Sequence, residues 1–220
     1  MIRTHRPIPH RRERSVLRHL PNVMTWSRLI LAVIFVWLMS FEGLLSSWLA
    51  TITFIVAALT DWADGYLARK YGVVSPFGTF MDPFADKVLV LSVLLVFLWQ
   101  NLAPVWMVLV ILARESIVTG LRMLAESRGV SIAAAPSGKQ KMLSQTLAII
   151  GILVIQSAQY TISSTTGLPW DTALRRMLPR GAAIAGAMDA LPWYLLLLAT
   201  IMSVYSGIDF IRRHHRLFRA

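Results

Sequence analysis

Residues 61–86 read DWADGYLARKYGVVSPFGTFMDPFAD: one apolar run ends on Asp61 and Asp64, and the next opens on Asp82 and Asp86. Four acids at the edge of two membrane-type segments need a physical reason. An aspartate at the centre of a membrane helix costs about 2.5 to 3.5 kcal/mol, so four at depth cost about 10 to 14 kcal/mol. Near the interface that figure falls, yet two like charges about 4 Å apart still repel by about 4 kcal/mol at an effective dielectric of 20. A bound divalent cation is the simplest relief.

Outward from that stretch, the 220 residues are 56% hydrophobic with a mean hydropathy of +0.60, a membrane composition rather than that of a water-soluble globule. Apolar segments lie near residues 23–41, 45–69, 82–100, 104–127, 139–160 and 190–211, each long enough to cross about 30 Å of hydrocarbon. The expected fold is an all-α polytopic membrane protein with six transmembrane helices. A basic juxtamembrane arm over residues 1–22 precedes a single membrane domain over 23–212, and a basic tail over 213–220 follows it. No internal repeat is visible. The chain has no cysteine, which excludes thiol chemistry, disulfides and cysteine-bound zinc.

The net charge of +11 sits at the ends of the apolar segments, so the partner it implies is an anionic lipid bilayer and not nucleic acid. Fifteen of the 22 lysines and arginines fall in the N-terminal arm, the 70s loop, the region from Arg128 to Lys141 and the C-terminal IRRHHRLFRA. With six spans those regions share one side, and the positive-inside bias makes it cytoplasmic, with both termini and the four aspartates there. Arg175, Arg176 and Arg180 are the exception on the outer side, and residues 160–190 are expected to include a surface-lying amphipathic piece. The tryptophans, Trp26, Trp48, Trp106 and Trp193 among them, lie near span ends as interfacial anchors do. His214 and His215 are adjacent, do not share a helix face, and read as part of a solvated basic end.

At 100° per residue, Asp61, Asp64, Gly65 and Ala68 fall on one face of the second helix, two carboxylates beside two very small side chains. Asp82 and Asp86, four apart, stack on one face of the third. Oxygen-only ligands favour Mg²⁺ or Mn²⁺ over softer metals, and shared carboxylates commonly hold two ions for phosphoryl chemistry. Asp82 before Pro83 also has the form of a helix N-cap, and Asp61 or Asp64 could pair with Arg69.

Asp61, Asp64-Gly65, Ala68-Arg69, Gly78, Asp82 and Asp86, at these spacings, resemble the signature of the CDP-alcohol phosphotransferase family without departure at any fixed position. The runs LPNVMTWSR, ARESIVTGLRMLAESRG and SGKQK look like the phosphatidylglycerophosphate synthase branch, which usually has threonine where Met142 stands. The resemblance implies transfer of the phosphatidyl group of CDP-diacylglycerol to glycerol 3-phosphate with release of CMP, at a bacterial inner membrane, by a homodimer. It implies that Asp61, Asp64 and Asp82 hold the metals, with Asp86 near the second ion and acting as general base. It implies further that Asn22, Thr25, Asp64, Gly65, Ala68, Arg69, Ser75 and Gly78 line the pocket for the CDP-diacylglycerol.

The acceptor site has its own signal. Lys139 and Lys141 stand at the start of the fifth span, the end of a helix at which the macrodipole disfavours cations by about 0.3 to 1 kcal/mol each. Arg114 and Arg122 lie inside the fourth span, where charge is costly, and Glu115 is seven residues from Arg122 on the same face. Lys139, Lys141 and Arg114 are therefore the expected pocket for the acceptor phosphate; the alternative is that the lysines meet lipid phosphates and the arginines pair with acids. Other acceptors within the enzyme class are inositol phosphate, serine or phosphatidylglycerol. The rival from another class is a cation-coupled transporter, whose acids would sit near the bilayer midplane rather than at helix ends.

Overall fold

The computed structural model describes residues 26–71, 76–130 and 136–214, with the side chains of residues 61–86 outside that description. The described chain is all-helical: α1 (Trp26–Met39), α2 (Leu44–Tyr71), α3 (Pro76–Trp99), α4 (Val105–Ser127), α5 (Pro136–Thr166), α6 (Trp170–Met177) and α7 (Gly181–His214). The N-terminal arm, Asn22, Thr25, Ser75 and residues 215–220 of the tail lie outside the described residues.

Two of these helices, α5 and α7, are long and apolar enough to cross a membrane by length and composition. The surface points the same way. Each long helix buries one stripe, as α2 does with Ser47, Ala50, Thr51, Phe54 and Ala57, yet the opposite face is apolar too, with Leu45, Trp48, Leu49, Ile52, Val56 and Leu59 exposed. A helix hydrophobic all round belongs in a large core or in lipid. Exposed apolar area on this scale also covers α1, α4, α5 and α7, far beyond the isolated patches of a soluble monomer. The chain is a membrane protein.

Lipid tails are as apolar as leucine, so the helices associate through close packing and internal hydrogen bonds rather than through escape from water. The α5–α7 pair is the central contact, with α2 against α5, α4 against α7, and α6 against both α7 and α5. Gly151 sits where α5 meets Leu195 of α7, and a Cβ there would come within 2.8 Å of Leu195 Cδ1. Buried hydroxyls tie α2 to α5: Ser47 and Ser157 stand 2.8 Å apart, and Thr51 and Ser157 3.0 Å. At the same end, Gln156 Nε2 donates to Gln100 Oε1 at 2.6 Å, and Gln100 Nε2 donates to the Met39 carbonyl at 3.3 Å.

Several helix ends differ from those expected. α3 begins at Pro76, six residues before Asp82, so Asp82 lies inside the helix and is not its N-cap. Residues 160–190 are largely regular structure: α5 continues to Thr166, α6 is a separate short helix, and α7 starts at Gly181 rather than near residue 190. Pro192 fell inside the expected sixth span and is carried within α7, where it is buried. A proline deep in a membrane helix is tolerated where neighbouring helices cover the freed backbone. α4 stops where Gly129 takes φ +75°, and Val130 N–H bonds back to Ala125 O at 3.0 Å, the Schellman pattern of a glycine-terminated helix.

Candidate functional site

The hydrogen bonds fix which helix ends lie together. Ser47 opens α2 and meets Ser157 in the second half of α5, so these helices run in opposite directions. Gln100, just past α3, meets Gln156 at that same end. The C-terminal end of α2 and the N-terminal end of α3, which carry the four aspartates, therefore run toward the α5 end that carries Lys141. Helical backbone is continuous through Asp61 and Asp64 on α2 and through Asp82 and Asp86 on α3. By helical register the first pair is about 60° apart and the second about 40°, so each pair shares a face. Gly65, Ala68 and Arg69 follow on α2, and Gly78 lies in the first turn of α3.

Four carboxylates, two on each of two helices, are oxygen ligands of the kind a hard cation takes. Among the residues with described side chains no group of three or more His, Cys, Asp and Glu could hold a metal ion.

The described side chains at this end form a cationic cluster. Arg114 of α4 lies across α7: its Nε donates to the Ser203 carbonyl at 3.1 Å and its Nη2 to Ser206 Oγ at 2.8 Å. Its Nη1 donates to Glu115 Oε1 at 3.1 Å, and Lys141 Nζ of α5 is ion-paired with the same carboxylate oxygen. The three side chains are largely enclosed, with 13% of Arg114, 22% of Glu115 and 12% of Lys141 accessible. Among the described side chains, one carboxylate stands between two cations, an excess of positive charge in a poorly hydrated place. That surplus favours a bound anion, since an uncompensated charge out of water is expensive.

Sequence reasoning placed Lys139 beside Lys141, but the two are 200° apart in helical register and Lys139 is exposed. Arg114 and Lys141 are brought together; Lys139 is not part of their cluster. Glu115 pairs with Arg114 and Lys141 rather than with Arg122, whose guanidinium sits 6.0 Å from the Phe210 ring centroid, with Nε buried and without a hydrogen-bond partner. A second polar contact holds the start of α5 to α7: Ser137 Oγ donates to Asp209 Oδ2 at 2.6 Å, while Arg213 Nε donates to Asp209 Oδ1 at 2.8 Å.

Three contributors escaped the sequence reading. Ser203 and Ser206 supply acceptors to Arg114, and Gly207 supplies room, because a Cβ at 207 would stand 3.0 Å from Arg114 Cγ. Their signal is the small-residue stripe Ser203, Ser206, Gly207 on one side of the second half of α7, which marks a close approach without naming its occupant. Buried Arg28 of α1 and buried Gln145, one turn along α5 from Lys141, are further polar groups inside the bundle.

Comparison with known proteins shows which family the chain resembles. The model of the CDP-alcohol phosphatidyltransferase family matches residues 18–207. A Bacillus subtilis protein named CDP-diacylglycerol–glycerol-3-phosphate 3-phosphatidyltransferase is 41% identical over 148 residues, 62% of this chain and 77% of its own length. An Escherichia coli protein of the same name is 36% identical over 140 residues, covering 61% and 76%. A Mycobacterium tuberculosis protein named probable phosphatidylglycerophosphate synthase is 30% identical over 203 residues, 91% of this chain and 83% of that one. With the family model covering the chain from before α1 into the last helix, this protein belongs to the CDP-alcohol phosphatidyltransferase family.

Proposed function

We infer that the chain is a CDP-diacylglycerol-dependent phosphatidyltransferase that moves the phosphatidyl group onto the primary hydroxyl of glycerol 3-phosphate, giving phosphatidylglycerophosphate and CMP. The observation that carries this reading is that relatives named for that reaction match this chain over about three quarters of their own length. The structural support for the acceptor is the positive charge of Arg114 and Lys141, largely enclosed, at the α5 end toward which the aspartates run.

In the reading proposed here, Asp61, Asp64, Asp82 and Asp86 hold a pair of divalent cations, Mg²⁺ or Mn²⁺, which when bound neutralise the diphosphate and polarise its phosphorus. Gly65 and Ala68 leave the backbone of α2 open to the nucleotide, and Arg69, Ser75, Gly78, Asn22 and Thr25 complete the contacts to CDP-diacylglycerol. Arg114 and Lys141 hold the phosphate of the acceptor, and exposed Lys139 draws the anion toward them. Asp86 takes the proton from the attacking hydroxyl, whose oxygen forms the new bond to phosphorus as the bond to the CMP oxygen breaks. No covalent enzyme intermediate is needed.

The six long helices cross the bilayer in this reading, with the aspartates and both termini in the cytoplasm, the arginines of residues 1–22 on anionic lipid, and the protein as a homodimer in a bacterial inner membrane. Support comes from the placement of basic residues and from the opposed helix directions. The test is direct. Purified protein with Mg²⁺, CDP-diacylglycerol and labelled glycerol 3-phosphate is expected to produce lipid-soluble label together with CMP. Absence of label with that acceptor, while another alcohol in an acceptor panel is consumed, overturns the acceptor assignment.

A further inference from the structure

The corner between α5 and α7 is built around α6 and lies at the end of the bundle opposite Lys141. α6 turns Ala173 and Leu174 inward against α5 and α7 and leaves Arg175, Arg176 and Met177 exposed, followed by exposed Leu178 and Arg180. The corner is rigid. Leu178 N–H bonds to Leu174 O at 3.1 Å and Gly181 N–H to Leu178 O at 3.0 Å, and a Cβ on Gly181 would meet Leu174 O at 1.8 Å. Three arginines within six residues thus stand exposed on this corner beside two exposed apolar side chains.

Their charge is poorly answered. Arg175 reaches Asp171 only at 3.9 Å, both being well exposed, and among the described residues Arg176 and Arg180 have no ion pair. The macrodipole of α6 favours Arg175 and Arg176 in its last turn, but Arg180 lies beyond it. In the six-span reading, on which this inference rests, the corner faces away from the aspartates, where the positive-inside bias selects against arginine. Depth fits a lipid partner. Trp48 Nε1 donates to Thr161 Oγ1 at 3.0 Å, an interfacial type of anchor, and α5 rises only about 8 Å further before α6 begins. In the six-span reading that brings the arginines to about headgroup level, with exposed Met177 and Leu178 beside them.

The geometry points to the α6–α7 corner as a binding site for the headgroup phosphate of an anionic phospholipid in the leaflet facing away from the active site. Arginine is suited to this because its planar fork takes phosphate in a bidentate manner, while the neighbouring apolar side chains lie against the lipid tails. The bound lipid braces the α5–α7 pair, the same pair that carries Lys141, Ser203 and Ser206 at its other end.

The test uses the full-length protein in nanodiscs of phosphatidylcholine with and without phosphatidylserine, an anionic lipid that is neither substrate nor product of the proposed reaction. Retained phosphatidylserine is counted by native mass spectrometry, and the unfolding temperature is read in both lipids. The triple variant Arg175→Gln, Arg176→Gln, Arg180→Gln is expected to bind phosphatidylserine about a hundredfold more weakly, roughly fivefold per arginine. Its unfolding temperature in phosphatidylcholine is expected to stay unchanged, and the triple Arg→Lys variant to keep a good part of the binding. Undiminished phosphatidylserine retention in the Gln variant, or an equal loss of stability in both lipids, overturns the assignment. Because the chain lacks cysteine, Met177→Cys provides a single label site: in sealed vesicles, reaction with an impermeant maleimide only from the side bearing the aspartates overturns the six-span reading instead. Transferase activity of the same samples reports on the chemistry separately.

Discussion

Gly207 of α7 is the floor on which Arg114 of α4 lies, with space for a Cβ to within only 3.0 Å of Arg114 Cγ. Arg114 is consequently positioned by a missing side chain as much as by its bonds to Ser203 O and Ser206 Oγ. Gly207→Ala is expected to push the guanidinium by a few tenths of an ångström and raise the KM for glycerol 3-phosphate roughly three- to tenfold, about 0.7 to 1.4 kcal/mol. The KM for CDP-diacylglycerol is expected to stay the same. Equal changes in both constants would remove Arg114 from the acceptor side.

Lys141 and Lys139 separate cleanly in the structure although they are two residues apart in the chain. Lys141 is enclosed and paired with Glu115, while Lys139 is exposed. Loss of a charge-assisted contact at an enclosed site is worth about 1.5 to 3 kcal/mol, so Lys141→Gln is expected to weaken glycerol 3-phosphate binding about ten- to a hundredfold. For Lys139→Gln an exposed-charge effect of about 1 kcal/mol or less is expected, roughly fivefold at most. Steady-state kinetics in the two substrates distinguish these outcomes, and a larger effect at Lys139 would reverse the assignment.

Glu115 compensates both cations, so its removal splits stability from binding. Glu115→Gln leaves Arg114 and Lys141 facing each other without an anion between them, and the loss of stability is expected to be about 1 to 2 kcal/mol, discounted because Glu115 is 22% accessible. The acceptor phosphate then meets less competition for the same cations, and its affinity is expected to hold or rise. Thermal unfolding with and without glycerol 3-phosphate reads both effects: the substrate-induced rise in melting temperature grows in the variant. A variant that is stable but unable to bind the acceptor would make Glu115 itself a binding group.

These contrasts mark what the chain discloses by itself and what it withholds. The family signature is visible in residues 61–86 because fixed carboxylate spacing on a helix is a one-dimensional pattern. The long helices were equally plain, because apolar runs set their length. Helix ends were less so: α3 starts at Pro76, and α7 starts at Gly181 because the mostly small residues 181–189 continue the helix ahead of the apolar run. Glu115 as a partner of Arg114 was among the readings the sequence offered, but its partners on α7 could not be read, because they lie 89 and 92 positions away on a small-residue stripe that carries no chemical signature of its own. Lys139 was grouped with Lys141 by proximity in sequence, and only the helix register separates them.

The aspartates give the decisive chemical test. Asp82 sits in the second turn of α3, so substituting it does not strip the helix of its N-cap, and Asn in place of Asp keeps size and shape. Asp82→Asn and Asp86→Asn are each expected to lower turnover by a hundredfold or more, as the loss of a metal ligand or a general base does, with helical circular dichroism unchanged. If Asp86 acts chiefly as the base, excess Mg²⁺ restores activity to the Asp82 variant in part and leaves the Asp86 variant inactive. Chelation is expected to silence the parent protein reversibly. An Asp82→Asn, Asp86→Asn protein that turns over at the parental rate would remove the carboxylates from the reaction, while leaving the Arg114, Glu115 and Lys141 cluster as an anion site that a substrate-induced melting shift still detects.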